Sequence, residues 1–112
     1  MKVSKYRAVK VEIDGIIFAS KAEGRRYGEL KLLARAGEIT NLTLQPKFLL
    51  TEKALRSDGQ VERASHYVGD FEYTDRAGQT IVEDTKGMRT PIYIQKRKLM
   101  LTKYGISILE TK

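Results

Sequence analysis

From Tyr67 to Tyr73 the chain alternates, with Tyr67, Phe71 and Tyr73 on one side against Val68, Asp70 and Glu72 on the other. Thr80 to Lys86 alternates in the same way, so both stretches predict β-strands of period two. Between them lies Asp75-Arg76-Ala77-Gly78. Gly78 suits the left-handed third position of a three-residue hairpin loop. That loop sets Asp75 opposite Gln79 and therefore Asp70 opposite Asp84, on one face of the ladder, with Lys86 on the same face opposite Val68. A slip of one residue would divide the carboxylates between faces.

The remaining elements follow from local signals. Asp14-Gly15 separates Val9–Ile13 from Ile16–Phe18 and predicts a hairpin, the core of an N-terminal arm over about residues 5–19. Lys2, Lys5, Arg7 and Lys10 precede or occupy it, as a phosphate-facing arm or a mobile basic tail. Ser20 to Ala36 predicts a helix opened by the capping box Ser20-Lys21-Ala22-Glu23 and closed by Gly37, with Tyr27, Leu30, Leu33 and Ala34 facing inward. Ile39 to Leu44 follows, then Gln45-Pro46 and a strand from Lys47 to Thr51. Glu52 to Ala64, with Ser57-Asp58-Gly59 as its turn, predicts a polar loop or hairpin, a surface insertion or a segment that closes over a substrate. Thr90-Pro91 predicts the start of a second helix that runs to Tyr104 and stops at Gly105, and Ile106 to Leu109 predicts a last strand. The expected architecture is an α/β (α+β) domain spanning residues 1–112. A three-stranded meander is flanked by helices, and the final strand returns through a helical crossover into a mixed sheet.

The pairing of Asp70 with Asp84 is where the chemistry begins. Carboxylates opposite one another on a ladder repel by a few tenths to about 1 kcal/mol unless a positive charge sits between them. Oxygen-only ligands favour Mg²⁺ or Mn²⁺, and Lys86 reaches the same space, where an ammonium orients water and offsets phosphate charge. Asp-x-Lys alone is a weak pattern, equally compatible with solvated strand residues. Glu83, next to Asp84, must face the other way, and the spacing to Lys86 selects Asp84. Glu23 leads the inward face of its helix, either as a cap alone or as a cap that is also a third carboxylate for the metal.

Composition narrows the partners. Among 112 residues, 21 Lys and Arg against 14 Asp and Glu leave a net charge of +7, and the pI of about 9.7 favours a polyanion, nucleic acid first. No acidic residue occurs from Gly87 to Leu109, where Arg89, Lys96, Arg97, Lys98 and Lys103 fall. The absence of cysteine excludes disulfides and thiolate chemistry, and the single histidine, His66, excludes multi-imidazole centres and reads as a strand-start residue. No apolar run has the length of a membrane span, and Met1-Lys2-Val3-Ser4 does not open a signal peptide, so a cytoplasmic location is expected.

The set Phe18-Ala19-Ser20-Lys21-Ala22-Glu23, Arg26-Tyr27, Gln45-Pro46-Lys47-Phe48, Asp70-Phe71-Glu72-Tyr73 and Val82-Glu83-Asp84-Thr85-Lys86-Gly87 resembles the PD-(D/E)XK nuclease superfamily. More narrowly it resembles a small, uncharacterised family of restriction-endonuclease-like proteins found largely in phages and prophages. The resemblance spans about residues 18–109, with Gly69 where the motif name has proline. It implies a restriction-endonuclease-like core and a Mg²⁺-dependent (or Mn²⁺-dependent) DNA endonuclease in which Asp70, Asp84 and Glu23 bind metal and Lys86 completes the catalytic set. Arg89, Lys96, Arg97, Lys98, Lys21 and Gln45 would contact DNA. It further implies a role in phage recombination, repair or processing, with branched or Holliday-junction DNA as a substrate and a homodimer as the working form. Two alternatives stand beside it: a DNA-binding module that keeps the scaffold without cutting, and a phage protein that inhibits a host protein.

Overall fold

The computed structural model describes residues 9–86 and 88–112. Lys2, Lys5 and Arg7 of the expected basic arm, and Gly87, lie outside the described residues.

Asp14 and Gly15 both take positive φ, 55° and 76°, and so turn β1 (Val11–Ile13) back onto β2 (Ile16–Phe18). The described part of this hairpin is not a free arm. Val11, Ile13, Ile16 and Phe18 pack into the core beside the first helix, and the Tyr27 hydroxyl donates to Asp14 at 2.9 Å. Helix α1 (Lys21–Arg35) starts where Ser20 Oγ accepts from the Glu23 N–H at 3.1 Å, the cap that the sequence predicts.

The next strands form a long antiparallel ribbon with a break in the middle. β3 (Thr40–Leu44) pairs with β8 (Phe71–Thr74), while β4 (Lys47–Thr51) pairs with β7 (Ser65–Val68). The expected continuous strand from Tyr67 to Tyr73 is therefore two strands in different sheets. The break has a local cause on the opposite side of the ribbon: Gln45 has φ 50° and Pro46 has no N–H to donate, so the ladder cannot run straight through. Lys47–Thr51 consequently leaves the central sheet, and the meander consists of β3, β8 and β9 (Thr80–Thr85). Glu52 to Ala64 contains a short hairpin, β5 (Ala54–Leu55) with β6 (Val61–Glu62), exposed throughout.

β8 and β9 are joined by the predicted three-residue loop. Gly78 has φ 83°, its N–H donates to Asp75 O at 3.0 Å, and the Asp75 N–H donates to Gln79 O at 2.9 Å. Helix α2 (Pro91–Tyr104) is capped by Thr90 and ends at Gly105 in the left-handed region, as its sequence predicts. The last strand, β10 (Leu109–Thr111), pairs parallel with β9. It starts three residues later than the apolar run suggests, because Ile106 and Ile108 are used to fill the core under α2.

The central sheet, in the order β10-β9-β8-β3, is a mixed sheet in an α+β fold. Phe71, Tyr73 and Ile81 face α1 and the hairpin. Val82 faces α2, with Tyr67, Tyr93, Met100 and Ile108. Alternation along β9 thus sends Glu83 toward α1 and Asp84 toward α2. Among the described residues, no helix is long and apolar enough to cross a membrane.

Candidate functional site

The break in the ribbon is what sets Asp70. Backbone hydrogen bonds hold it from both sides: the Gln45 N–H donates to Asp70 O at 3.0 Å, and the Asp70 N–H donates to Glu83 O at 2.9 Å. Its side chain accepts from the Thr85 N–H at 2.6 Å through Oδ2. The predicted loop sets the register as far as Phe71 opposite Glu83. Asp70 lies just before the start of β8, and its N–H on Glu83 O breaks the straight register that would have put it opposite Asp84. Gly69 has its own reason to be where it is. Its N–H donates to Pro46 O at 3.0 Å, and a Cβ there would stand 3.0 Å from Val82 Cγ1 and 3.4 Å from Glu83 O. A proline would lose that hydrogen bond and crowd β9.

Asp84 is buried at 5 % exposure. The Tyr67 hydroxyl donates to its Oδ2 at 2.6 Å, and the Lys86 ammonium lies 3.3 Å from its Oδ1. Lys86 also rests on the Tyr93 ring, 4.1 Å from the centroid. It does not pair with Val68 as a straight ladder would require; its N–H donates to Thr111 O at 2.9 Å, extending the parallel pairing with β10. A cleft of about 290 Å³ opens beside these groups, lined by His66, Tyr67, Asp84, Lys86, Tyr93 and Lys96 among others.

Glu23 reaches the same end of the sheet from the first turn of α1. Glu23 is buried at 8 % exposure, and with Gln45 and Asp70 it lines a second depression of about 160 Å³, which shares no lining residue with the Asp84 cleft. Gln45 holds its positive φ there, a conformation that costs a non-glycine residue of order 1 kcal/mol and recurs at functional sites.

The carboxylates feel one another. Burial pushes Asp70 up to about 6, the Thr85 N–H draws it down, Asp84 and Glu23 push it up, and Lys86 draws it down. Glu23 is raised by burial, eased by the Ala19 backbone and raised again by Asp84. Oxygen donors with excess negative charge suit a hard divalent cation. Among the described residues, no three carboxylate, imidazole or thiolate groups form a ready ligand cage. Mg²⁺ does not need one, because it is commonly held by one or two carboxylates with waters and phosphate oxygens. The oxygen donors of Asp70 and Asp84, with Glu23 near them, are of the type that would suit Mg²⁺ or Mn²⁺.

The sequence-predicted DNA contacts divide into groups. Lys96 lines the Asp84 cleft, and Lys21 and Lys98 are exposed on their helices. Arg89 and Arg97 are already engaged, at 2.6 Å and 3.0 Å from the two carboxylate oxygens of Glu110. Glu110 also accepts from the Tyr93 hydroxyl at 2.6 Å and is held down to about 2, chiefly by Arg89. The acid-free window in the sequence ends at Leu109, so it stops one residue before the acid that folds back on its cations.

Tyr67, Tyr93 and Glu110 are supporting residues that the sequence pattern does not announce. Glu83 does have a signal. Alternation places it on the apolar face with Phe71 and Tyr73, and a carboxylate there requires a cation. Arg26 supplies it, through Nε to Oε1 at 2.8 Å and Nη2 to Oε2 at 2.7 Å.

A family model described as a protein of unknown function, DUF1064, matches residues 3–109. No curated protein and no solved structure matches the chain.

Proposed function

The chain belongs to the DUF1064 family, and we propose that it is a metal-dependent DNA endonuclease that hydrolyses phosphodiester bonds. The observation that carries this reading is the meeting of Asp70, Asp84 and Lys86 at one end of the β8–β9 ladder, with Glu23 on the adjoining helix. A buried Asp70, raised first by its burial and further by the charges of Asp84 and Glu23, is unfavourable as a carboxylate in the free protein and would become favourable with a cation bound. When bound, Mg²⁺ or Mn²⁺ would offset charge on a scissile phosphate and acidify an attacking water.

The chain's own residues supply the rest. Lys86, held between Asp84 and the Tyr93 ring, orients water and stabilises negative charge gathering on the phosphate. Glu23 adjusts the charge of the metal-binding pair. Lys96 extends positive charge along the cleft, and Lys21, Gln45 and Lys98 meet the backbone to either side. Arg89 and Arg97 join them once phosphate competes with Glu110. The net charge of +7 supports a nucleic-acid partner. The resemblance to the PD-(D/E)XK superfamily supports DNA processing in phage recombination or repair, in the bacterial cytoplasm, with a homodimer presenting two sites to branched DNA.

The test is incubation of plasmid and four-way-junction DNA with the protein and Mg²⁺, Mn²⁺ or EDTA. Cleavage that disappears in EDTA and in Asp84→Ala and Lys86→Ala, with DNA binding retained, supports the enzyme. Binding without cutting of any substrate supports a DNA-binding module on the same scaffold, and indifference to both DNA and metal removes both readings.

A further inference from the structure

We propose that Arg26 and Glu83 are positioning residues that set the spacing between Glu23 and Asp84 and so tune the site for Mg²⁺. This inference rests on the metal-dependent reading above. Glu83 is fully buried and faces away from the Asp84 cleft, so it has no direct part in the chemistry. Its carboxylate is nevertheless saturated. The Arg26 guanidinium meets it with two parallel hydrogen bonds of 2.8 and 2.7 Å, and the Tyr73 hydroxyl donates to Oε2.

A pair of this kind is an expensive way to hold a helix against a sheet, since desolvation of two charges offsets most of their attraction and apolar residues of similar volume often stabilise as well or better. What an ion pair adds is geometry. The guanidinium fork is planar and fixes distance and angle at once. Its two ends are close to the site in sequence: Glu83 is the chain neighbour of Asp84, and Arg26 lies three residues, about one helical turn, after Glu23. Among the described residues, this is the one side-chain hydrogen-bonded link between α1 and β9. The hairpin and β3 hold the rest of the helix mainly through apolar contacts, which are less exacting in register, with the Tyr27 hydroxyl and Lys31 ammonium meeting Asp14 at the exposed hairpin turn. Loosening the fork would therefore let Glu23 drift relative to Asp84 while the core stays packed.

Mg²⁺ demands near-ideal octahedral geometry, whereas Mn²⁺ binds the same oxygen donors more strongly, so the two cations report position separately from folding. The experiment measures Mg²⁺ and Mn²⁺ binding by titration calorimetry on the full chain, alongside melting temperature in EDTA, for wild type, Arg26→Lys and the double variant Arg26→Met/Glu83→Leu. The double variant removes both charges together, so it leaves no buried carboxylate unpaired and keeps the test open should Arg26→Lys fold poorly. The expected result is a melting temperature near wild type for the double variant, with Mg²⁺ affinity lower by about 10-fold or more and Mn²⁺ affinity lowered less. Wild-type Mg²⁺ affinity in a folded double variant overturns the inference and leaves the nuclease reading intact. A wild-type chain that binds neither cation overturns both.

Discussion

The Lys86 ammonium stands 4.1 Å from the centre of the Tyr93 ring and 3.3 Å from Asp84 Oδ1. A lysine on a flexible four-carbon stem is a poor positioning device by itself. Here the ring gives it a seat and the carboxylate a direction. Tyr93 is in turn fixed by its hydroxyl bond to Glu110, and Glu110 lies level with Asp84 on the adjacent parallel strand. Strand β10 and helix α2 thus converge on the side chain proposed to stabilise charge.

Removing the seat separates ring from hydroxyl. Tyr93→Leu is expected to slow cleavage by roughly tenfold or more, because the ammonium loses a cation–π contact of about 1 kcal/mol and with it a defined position. Tyr93→Phe keeps the ring and loses the Glu110 hydrogen bond, so it should cost about 1 kcal/mol of stability and leave the rate within a few-fold of wild type. Single-turnover kinetics with urea unfolding of both variants checks this. Equal rates for Tyr93→Leu and wild type would remove the ring from the mechanism.

Metal should also be visible without DNA. If Asp70 and Asp84 share a cation, saturating Mg²⁺ raises the melting temperature, with about 2.7 kcal/mol of stabilisation at a hundredfold excess over Kd. Asp70→Ala should lose that rise. Thermal scans in Mg²⁺ and EDTA read it directly, and an equal rise in both proteins places the ion elsewhere.

Two glycines of α1 predict opposite outcomes from the same substitution. Gly28 has no neighbouring atom within 4 Å of an added Cβ, so Gly28→Ala should stabilise by about 0.5–1 kcal/mol from helix propensity alone. At Gly24 the Cβ would stand 2.6 Å from Val11 Cγ2 and 3.1 Å from Ile13 Cδ1. Gly24→Ala should push the hairpin off the helix and destabilise by about 1–2 kcal/mol. Urea midpoints of the two variants decide it, and a Gly24→Ala protein as stable as Gly28→Ala would show that the hairpin yields freely.

What could be read in advance divides along the range of the interaction. Ser20, Thr90, Gly78 and Gly105 act within a few residues of themselves, and each cap or turn stands where its sequence predicts. The register of β8 against β9 was legible for the same reason, since one loop fixes it as far as Phe71 opposite Glu83. The break at Gly69-Asp70 was not, because the alternation of that strand continues through it while the cause, Gln45-Pro46, lies on the partner strand. Ile106 and Ile108 resemble strand residues by composition, but packing under α2 claims them first. Glu110 and Arg26 act across the fold, Glu110 on Arg89 21 residues away and Arg26 on Glu83 57 residues away, beyond anything periodicity or spacing encodes.

Glu110 supplies the pH dependence. In the folded protein its carboxyl is held down to about 2 from an ordinary value of 4.5, first by Arg89 and next by the Tyr93 hydroxyl, with burial opposing them and Arg97 adding to them. A carboxyl lowered on folding binds its proton more readily in the unfolded chain, so its contribution to stability is complete above the unfolded value and disappears as pH falls from about 5 toward 2. Glu110→Gln lacks that contribution at every pH. Because Arg89 is more than half exposed and solvent screens the pair, the expected gap in melting temperature between wild type and variant is only about 4 °C at pH 7. The gap should hold to pH 6, narrow through pH 4 and close near pH 2, while other acidic groups titrate in both proteins alike and cancel. Thermal scans of the two proteins in parallel across that range give the difference curve. A gap that stays constant into acid would mean that Glu110 is not the group holding Arg89, Tyr93 and Arg97 together, and that the support beneath Lys86 comes from the apolar packing of α2 alone.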